Sequence, residues 1–307
     1  MRRTVSTSQR FSCFLCGGSD LVLSSYLSLN SDSVIRNVGY LLPTLVGKAL
    51  SGVSAKFAST YKPIAVNKRY FDRHLLFCRN CATGCAHPFF TKESLSTYYK
   101  EFYWTNRDLN EGKHLPADNK PNTVQLNLSE ERLAWINKFG LSYSSVMDFG
   151  AGDCAASYAF LKSGASSSVH VVDPSDRAQR LATMYGASYS EDLAQAPMVD
   201  LIYSAHSIEH VHDLLDAMRR LTSRLRKGGC IFLETPNIGD EFVFRSLVHT
   251  PHTFMLSKGS IHHLARIMQL NIIAMECTGP RWKDGRPKLE SHEKADLRVI
   301  LQKPMAN

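Results

Sequence analysis

Val146-Met147-Asp148-Phe149-Gly150-Ala151-Gly152-Asp153-Cys154 decides the fold of this chain. An apolar strand runs into an acid, a glycine-rich turn follows, and a helix opens after it. Twenty-three residues beyond Gly150 a second strand ends on another acid, Val169-His170-Val171-Val172-Asp173-Pro174. Glycines let the backbone approach a ligand closely, and an acid about 20 residues on can bind ribose hydroxyls. Strand, turn, helix, strand and acid in this order describe a nucleotide-type cofactor site.

Working outward, the sequence alternates strands and helices to its end. Ser129 reads as the cap of a helix with Glu130 and Glu131 in its first turn, ending near Gly140. Strands are expected at Ser145 to Phe149, up to Asp173, Met198 to Ser204, Cys230 to Glu234, Asn271 to Cys277 and Leu297 to Gln302. Helices are expected at Asp153 to Lys162, Ser175 to Tyr185 (closed by Gly186), Asp213 to Arg226 (ended by Gly228-Gly229) and from a Ser257 cap to Leu270. Such alternation gives an α/β fold, a doubly wound parallel sheet with helices on both faces. The last two strands lack a helix between them and are expected to pair antiparallel.

The N-terminal third differs. Residues 1–105 hold five of the eight cysteines and many aromatics, residues 106–127 are polar with Gly112, Pro116 and Pro121 and read as a linker, and residues 128–307 carry the α/β pattern. The chain has 307 residues, 44% hydrophobic and 21% charged, an ordinary globular composition. The net charge of +8 is spread without a dense Lys/Arg block, so nucleic acid is not the expected partner. Arg219-Arg220 and Arg226-Lys227 read as cations at helix ends. Met1 to Ser6 lacks an apolar run, and Val38 to Val46 is too short to span a bilayer and contains Gly39 and Pro43. A cytoplasmic location without membrane contact is the expectation, with the cysteines as thiols or metal ligands.

From Val146 to Leu301 the chain resembles the Rossmann-like S-adenosylmethionine-dependent methyltransferases. Asp148-Phe149-Gly150-Ala151-Gly152 is similar to the family's first motif, and Val171-Val172-Asp173-Pro174 to its ribose-binding strand end. Asp200-Leu201-Ile202-Tyr203-Ser204-Ala205 with Ile208-Glu209-His210-Val211 resembles its fourth strand and following turn, and Leu225 to Asn237 its next helix end and strand. Cys154 stands where the family often has a third glycine, with a modest effect expected on helix–strand packing. The resemblance implies that Gly150, Ala151 and Gly152 approach the methionine part of S-adenosylmethionine. Asp173, followed by Pro174, would hold the ribose. Asp148 would order the turn or meet the ammonium, and Ala205 and His206 would line the cofactor.

Cys13-x-x-Cys16 and Cys78-x-x-Cys81 form two CxxC pairs, soft thiolate ligands suited to a tetrahedral structural Zn2+. Their wide separation, with Phe77 to Cys81 after a strand-like Tyr70 to Leu76, resembles the zinc-binding domain preceding sugar C-methyltransferases. The segment Ser31 to Asn67 is an insertion between the pairs. Cys85 and His87 are spare ligands nearby, and Cys154, Cys230 and Cys277 read as core.

His206-Ser207-Ile208-Glu209-His210 taken alone matches H-x-x-E-H, in which two histidines bind zinc and the glutamate activates water. Here it follows a strand leading out of a cofactor-type sheet, so the methyltransferase resemblance gives it another role: His210 faces the acceptor as a base, with Glu209 beside it. His252, in His252-Thr253-Phe254-Met255-Leu256-Ser257, resembles the family's second acceptor-side histidine, although Pro251 replaces the glutamate those sugar C-methyltransferases carry there. Histidine is matched to removing a proton near neutral pH. Quinone-pathway O-methyltransferases are similar in the Glu209-His210 pair and add an upstream acid where this chain has His206, which disfavours Mg2+. Tyr103 and Trp104 could close over the cofactor.

The resemblance thus implies methyl transfer from S-adenosylmethionine to a small-molecule acceptor, a sugar or a biosynthetic pathway intermediate. Its rivals are a non-methylating enzyme using the same cofactor, a nucleic-acid methyltransferase exploiting the +8 charge, and a zinc-dependent binding module with a dead cofactor site.

Overall fold

The computed structural model describes residues 12–25, 74–87, 89–97, 99, 120–238, 252–281 and 294–305. Tyr103, Trp104, the Ser31 to Asn67 insertion and most of the expected linker lie outside them.

The N-terminal part forms strands β1 (Leu21–Ser25), β2 (His74–Cys78) and β3 (Thr83–His87), then a short helix α1 (Lys92–Thr97). Helix α2 (Thr123–Asn137) leads into β4 (Ser145–Phe149), α3 (Ala155–Lys162), β5 (Ser168–Val172), α4 (Asp176–Tyr185), β6 (Ser188–Ser190) and β7 (Val199–Ala205). Helix α5 (Leu214–Ser223), β8 (Leu225–Pro236), β9 (Phe254–Met255), α6 (Lys258–Met268), β10 (Asn271–Arg281) and β11 (Lys294–Gln302) complete the described elements.

Seven strands form the main sheet in the order β10-β11-β8-β7-β4-β5-β6. The five strands from β8 to β6 run parallel, and β11 enters antiparallel between β8 and β10. From β4 the chain builds outward to β5 and β6, then returns to lay β7 and β8 on the other side. The reversal between β4 and β7 is a topological switch point, where open α/β sheets bind ligands outside the carboxyl ends of the strands.

Both faces of this sheet are covered, which explains its nearly continuous apolar strands. Along β4 and β7, Val146 and Leu201 turn to one core while Met147 and Ile202 turn to the other. The first core takes Leu133 and Ile136 from α2, Phe160 from α3 and Leu181 from α4. The second takes Leu214, Met218 and Leu221 from α5 with Ile261 and Leu264 from α6. Each fully buried Leu or Ile of this kind contributes about 1.5–3 kcal/mol of transfer free energy.

Two expectations about helices are corrected. Helix α2 begins at Thr123, with the Asn122 carboxamide oxygen capping the Val124 N–H at 2.9 Å, inside the stretch read as linker. Ser129 lies within that helix and donates its hydroxyl to the Gln125 carbonyl four residues back (2.9 Å), so a residue that resembles an N-cap satisfies its hydroxyl without starting a helix. Helix α5 stops at Ser223 rather than Arg226. The Arg224 carbonyl accepts the Val199 N–H and Leu225 already pairs with Val199, so the sheet captures the chain before the glycine pair arrives. Arg226 consequently turns to Asp200 (2.9 Å) and Ser145 (2.7 Å) instead of capping a helix.

A second sheet, β1-β2-β3-β9, is antiparallel and joins the cysteine-bearing strands to Phe254 and Met255. Cys13, Cys78, Cys81, Cys85 and Phe254 share a continuous core with Met147, Ile202 and Leu264. No helix among the described residues is long and apolar enough to cross a membrane.

Candidate active site

The glycine turn is built by left-handed backbone. Gly150 and Gly152 have φ of +71° and +55°, and Cys154, at the expected third-glycine position, has φ +56°. The effect of Cys154 therefore falls on its own backbone as well as on packing, since a Cβ in this region costs roughly 1–2 kcal/mol. Its thiol is fully buried against the Ala178 carbonyl.

Two acids brace the turn. Asp148 accepts both the Ser157 N–H (3.1 Å) and the Ser157 hydroxyl (2.6 Å), tying β4 to the first turn of α3. Burial pushes its carboxyl up to about 7 against the lowering effect of those two bonds. Asp173, just beyond β5, accepts the Gly152 N–H on Oδ2 (2.9 Å) and the Ser175 N–H and hydroxyl on Oδ1 (2.9 and 2.6 Å). The Gly150 N–H meanwhile donates to the Val172 carbonyl (2.8 Å). The expected ribose acid thus holds the loop in shape. Ala151 is half-buried and Pro174 is exposed at the same rim.

The segment after β7 closes on this turn. Ser207 donates its hydroxyl to the Gly150 carbonyl (3.0 Å) and to that of Ala205 (3.1 Å). A Cβ on Gly150 would lie 2.3 Å from Ser207 Oγ, so this approach requires glycine. Residues Ile208–His210 form a 3-10 turn and no long helix. The peptidase-like arrangement does not form: His206, in a left-handed backbone at φ +52°, lies outside the Glu209-His210-His252 group and meets a set of acids.

Those acids are Glu209 (3.5 Å from His206 Nδ1), Glu234 (3.4 Å from Nε2) and Asp296 (3.7 Å from Nε2). Burial alone would lower the His206 pKa, but the three carboxylates outweigh it and raise it to about 10. Glu234 is itself held between two guanidinium groups. Arg132 Nε donates to Oε1 (2.7 Å) with its Nη2 beside the same oxygen, and Arg298 Nε donates to Oε2 (2.8 Å). Burial would raise the Glu234 pKa, yet His206 and these two guanidinium groups hold it well below the usual carboxylate range. Arg132, Glu234 and Arg298 were not among the sequence candidates. An arginine inside the apolar run Leu297-Arg298-Val299-Ile300-Leu301 was the legible sign that a buried acid faces it.

Glu209 also meets two further histidines. Glu209 is 1% exposed, and neither of its oxygens makes a hydrogen bond among the described residues. Its Oε1 lies 3.8 Å from His210 Nε2. The rings of His210 and His252 meet edge to face at 4.7 Å, and Tyr99 packs edge-on against His210 at 5.9 Å. Glu209, His210 and His252 offer one ligand atom each within 4.8 Å of one another, so this cluster can share a proton or close on a cation. Burial would raise the Glu209 pKa, but His206, His210 and His252 draw it down to about 2.

The four cysteines converge although Cys16 and Cys78 are 62 residues apart. Their sulfurs all lie within 4.8 Å of one another, with Cys13–Cys81 at 3.6 Å and Cys16–Cys78 at 3.5 Å. The Leu15 and Gly18 N–H groups each point at a sulfur, Cys13 and Cys16 respectively, at 3.4 Å. Cys13 is drawn down to about 5, chiefly by the bond from Cys81, while its partner Cys81 is pushed up. Four ionised thiols this close need a cation between them, and the donor set fits Zn2+. Cys85 is buried beside the group but outside it, and Cys154, Cys230 and Cys277 are buried as expected.

The chain matches the model of the family described as "Methyltransferase domain" over residues 115–274. Over 173 residues it is 25% identical to a ubiquinone biosynthesis O-methyltransferase of Cupriavidus pinatubonensis, covering 48% of this chain and 69% of that protein. The protein of the same name from Bordetella avium is 27% identical over 147 residues, 40% of this chain and 60% of that one. Among solved structures, N-methyltransferase NodS from Bradyrhizobium japonicum in complex with S-adenosyl-L-homocysteine aligns with a TM-score of 0.45 and 16% identity, covering 65% of this chain and 96% of NodS. The family match covers more than half of the chain, which therefore belongs to the methyltransferase-domain family and is an S-adenosylmethionine-dependent enzyme.

Proposed function

We propose that this enzyme methylates a small hydroxylated molecule, a sugar or an intermediate of a biosynthetic pathway, with His210 taking the acceptor's proton. The observation that carries this reading is the Glu209-His210-His252 cluster at the carboxyl edge of the sheet, joined through Ser207 to the glycine turn. When bound, S-adenosylmethionine supplies an activated methyl on a sulfonium. His210 would take the hydroxyl proton as the acceptor oxygen gains the sulfonium's methyl and sulfur keeps the electrons of the carbon–sulfur bond. Glu209 steadies the imidazolium that results, and His252 orients the acceptor or serves as the second base. In-line alignment supplies most of the remaining acceleration.

Gly150, Ala151, Gly152, Asp173 and Pro174 are proposed to hold the cofactor, with Asp148 supporting the turn, Ala205 and His206 along its edge, and Tyr103 closing over it. Cys13, Cys16, Cys78 and Cys81 are proposed to bind a structural Zn2+ in an N-terminal domain (1–105), ahead of a linker that ends at Asn122 and a methyltransferase domain that begins with α2 at Thr123, in a cytoplasmic enzyme. The two relatives named for ubiquinone O-methylation support an oxygen acceptor.

The test is a screen of S-adenosylhomocysteine release against sugars, sugar nucleotides and small phenols, with wild type, His210→Gln and His252→Gln. A methylated product lost in His210→Gln while cofactor affinity stays within twofold supports the reading. Full turnover by His210→Gln removes the proton-acceptor role. A second reading, a divalent cation on the cluster, is favoured by the buried, hydrogen-bond-free Glu209 oxygens. Metal analysis of the four-cysteine variant lacking the zinc site separates it: one residual ion per chain supports that reading.

A further inference from the structure

The cysteine-bearing sheet is not packed against the active site only through side chains; it is hydrogen-bonded into it. Strand β3 pairs with β9, Gly84 opposite Met255 and Cys85 opposite Phe254. One residue earlier, the Thr253 carbonyl accepts the Ala86 N–H (2.9 Å), and the Thr253 N–H donates to the Glu209 carbonyl (2.8 Å). Thr253 is fully buried and directly follows His252. The backbone of one residue therefore spans from β3 to the turn that carries Glu209 and His210.

A second tie acts on the other side of β9. Ser257 and Ser260 cap α6 reciprocally: Ser257 Oγ accepts the Ser260 N–H (3.2 Å) and Ser260 Oγ accepts the Ser257 N–H (3.1 Å). Thr83 donates its hydroxyl to this Ser260 Oγ (2.8 Å), and Ser260 donates to the Ala82 carbonyl (3.0 Å). Ala82 follows Cys81 directly and sits at φ +52°. Thr83, Ser257 and Ser260 are all 2% exposed or less, so none of these bonds competes with water.

We propose that Thr83 is a positioning residue for methyl transfer: with β3 it clamps the segment 252–260 at both ends and so sets the placement of His252 against Glu209 and His210. The four-cysteine group, which fixes the start of β3, thereby becomes part of the acceptor side of the active site. The glycine turn meets the clamped segment through Ser207 but keeps its own braces within the main sheet, Asp148 on Ser157 and Asp173 on Gly152, so cofactor affinity is expected to change little. The proposal rests on the acceptor-side reading of His210 and His252, but it concerns geometry and is tested without turnover.

The experiment uses the full chain with Thr83→Val, which keeps shape and removes the hydroxyl, and Thr83→Ser, which restores it. Amide exchange at Thr253, imidazole resonances of His252 and S-adenosylhomocysteine affinity are read together. The expected result for Thr83→Val is at least tenfold faster Thr253 exchange and a displaced His252 resonance, with affinity within twofold of wild type and Thr83→Ser restoring both signals. Removal of metal with a chelator is expected to produce the same pattern. Unchanged Thr253 exchange and His252 resonance in Thr83→Val overturn the proposal. Equal acceleration at the Gly152 amide also overturns it, as general destabilisation. Failure of the histidine chemistry alone would leave these signals as expected while His210→Gln retained turnover.

Discussion

Arg298 and Glu234 form a buried ion pair in which Nε and Nη2 of the guanidinium lie 2.8 and 2.7 Å from the same carboxylate oxygen, Oε2. The other oxygen, Oε1, accepts from Arg132 Nε at 2.7 Å and has His206 Nε2 3.4 Å away. Both lone-pair sets of Glu234 are thus committed, so this acid at the end of β8 serves as an anchor and is unsuited to be a base. Its position links α2, which carries Arg132, to β11, which carries Arg298, beneath the His206 ring. Removing one partner of a buried pair leaves an uncompensated charge, typically at a cost of about 3–5 kcal/mol. Arg298→Met is expected to lose this amount in denaturant unfolding, and adding Glu234→Gln is expected to recover part of it. A loss under 1 kcal/mol would show that Arg132 alone satisfies the acid.

Gly150→Ala meets two obstacles, a left-handed backbone and Ser207 at 2.3 Å. We expect a loss of about 2–4 kcal/mol. The Ser207 Cβ lies 2.5 Å from the added atom, so Ser207→Ala in the same background should rescue little and Ser207→Gly considerably more. Equal rescue by both would place the clash at the hydroxyl alone. Thermal unfolding of the four proteins decides it.

Asp173→Ala releases the Gly152 and Ser175 amides together. Calorimetric titration is expected to show S-adenosylmethionine affinity falling about tenfold to hundredfold or more, the scale of lost hydrogen bonds to a charged group. NADH should bind neither protein. Undiminished affinity in the variant would remove Asp173 from the cofactor site.

Asp148 predicts a pH effect on the cofactor-free protein. Its carboxyl is pushed up from 3.8 to about 7, chiefly by burial. Between these values the folded chain retains a proton that the unfolded chain has released, so this group makes stability fall as pH rises from about 4 to 7. The slope from one such group is at most about 1.4 kcal/mol per pH unit. Asp148→Asn, which can still accept from Ser157, is expected to flatten the decline and to be relatively more stable at pH 8 than at pH 4. An unchanged difference between the two proteins across that range would refute the effect.

Removal of metal should act locally at first. Chelation of the native protein is expected to release one Zn2+ per chain and expose the four thiols to a thiol reagent, with the S-adenosylhomocysteine complex surviving. Absence of bound zinc in protein purified without chelator would show that the four cysteines function as thiols.

The strands and glycine turn were legible because their signals are local. Val146 and Met147 are apolar and face opposite cores, and Ser175 and Gly186 sit where a helix start and stop require them. The misreadings were also local in origin. Ser129 offers a hydroxyl that can cap a helix or bond four residues back within one, and its neighbours do not say which. The glycine pair at 228–229 looks like a helix terminator, but the pairing of Leu225 with Val199 ends the helix first. His206, His210 and Glu209 were visible as a group, whereas the acids that His206 meets beyond it, Glu234 and Asp296, were not.

By itself the sequence determined the α/β order, the cofactor turn, the two cysteine pairs and the candidate histidines, because each depends on residues within a turn or two of one another. Only the tertiary structure decided which groups meet. It brought Cys13 and Cys16 to Cys78 and Cys81, set His252 against His210, and placed His206 beside Glu234 and Asp296. It also placed Arg132 and Arg298 on one carboxylate. These contacts depend on strand order and on the two faces of the sheet. Strand order is settled by burying both faces at once, a condition on the whole chain that no single segment carries.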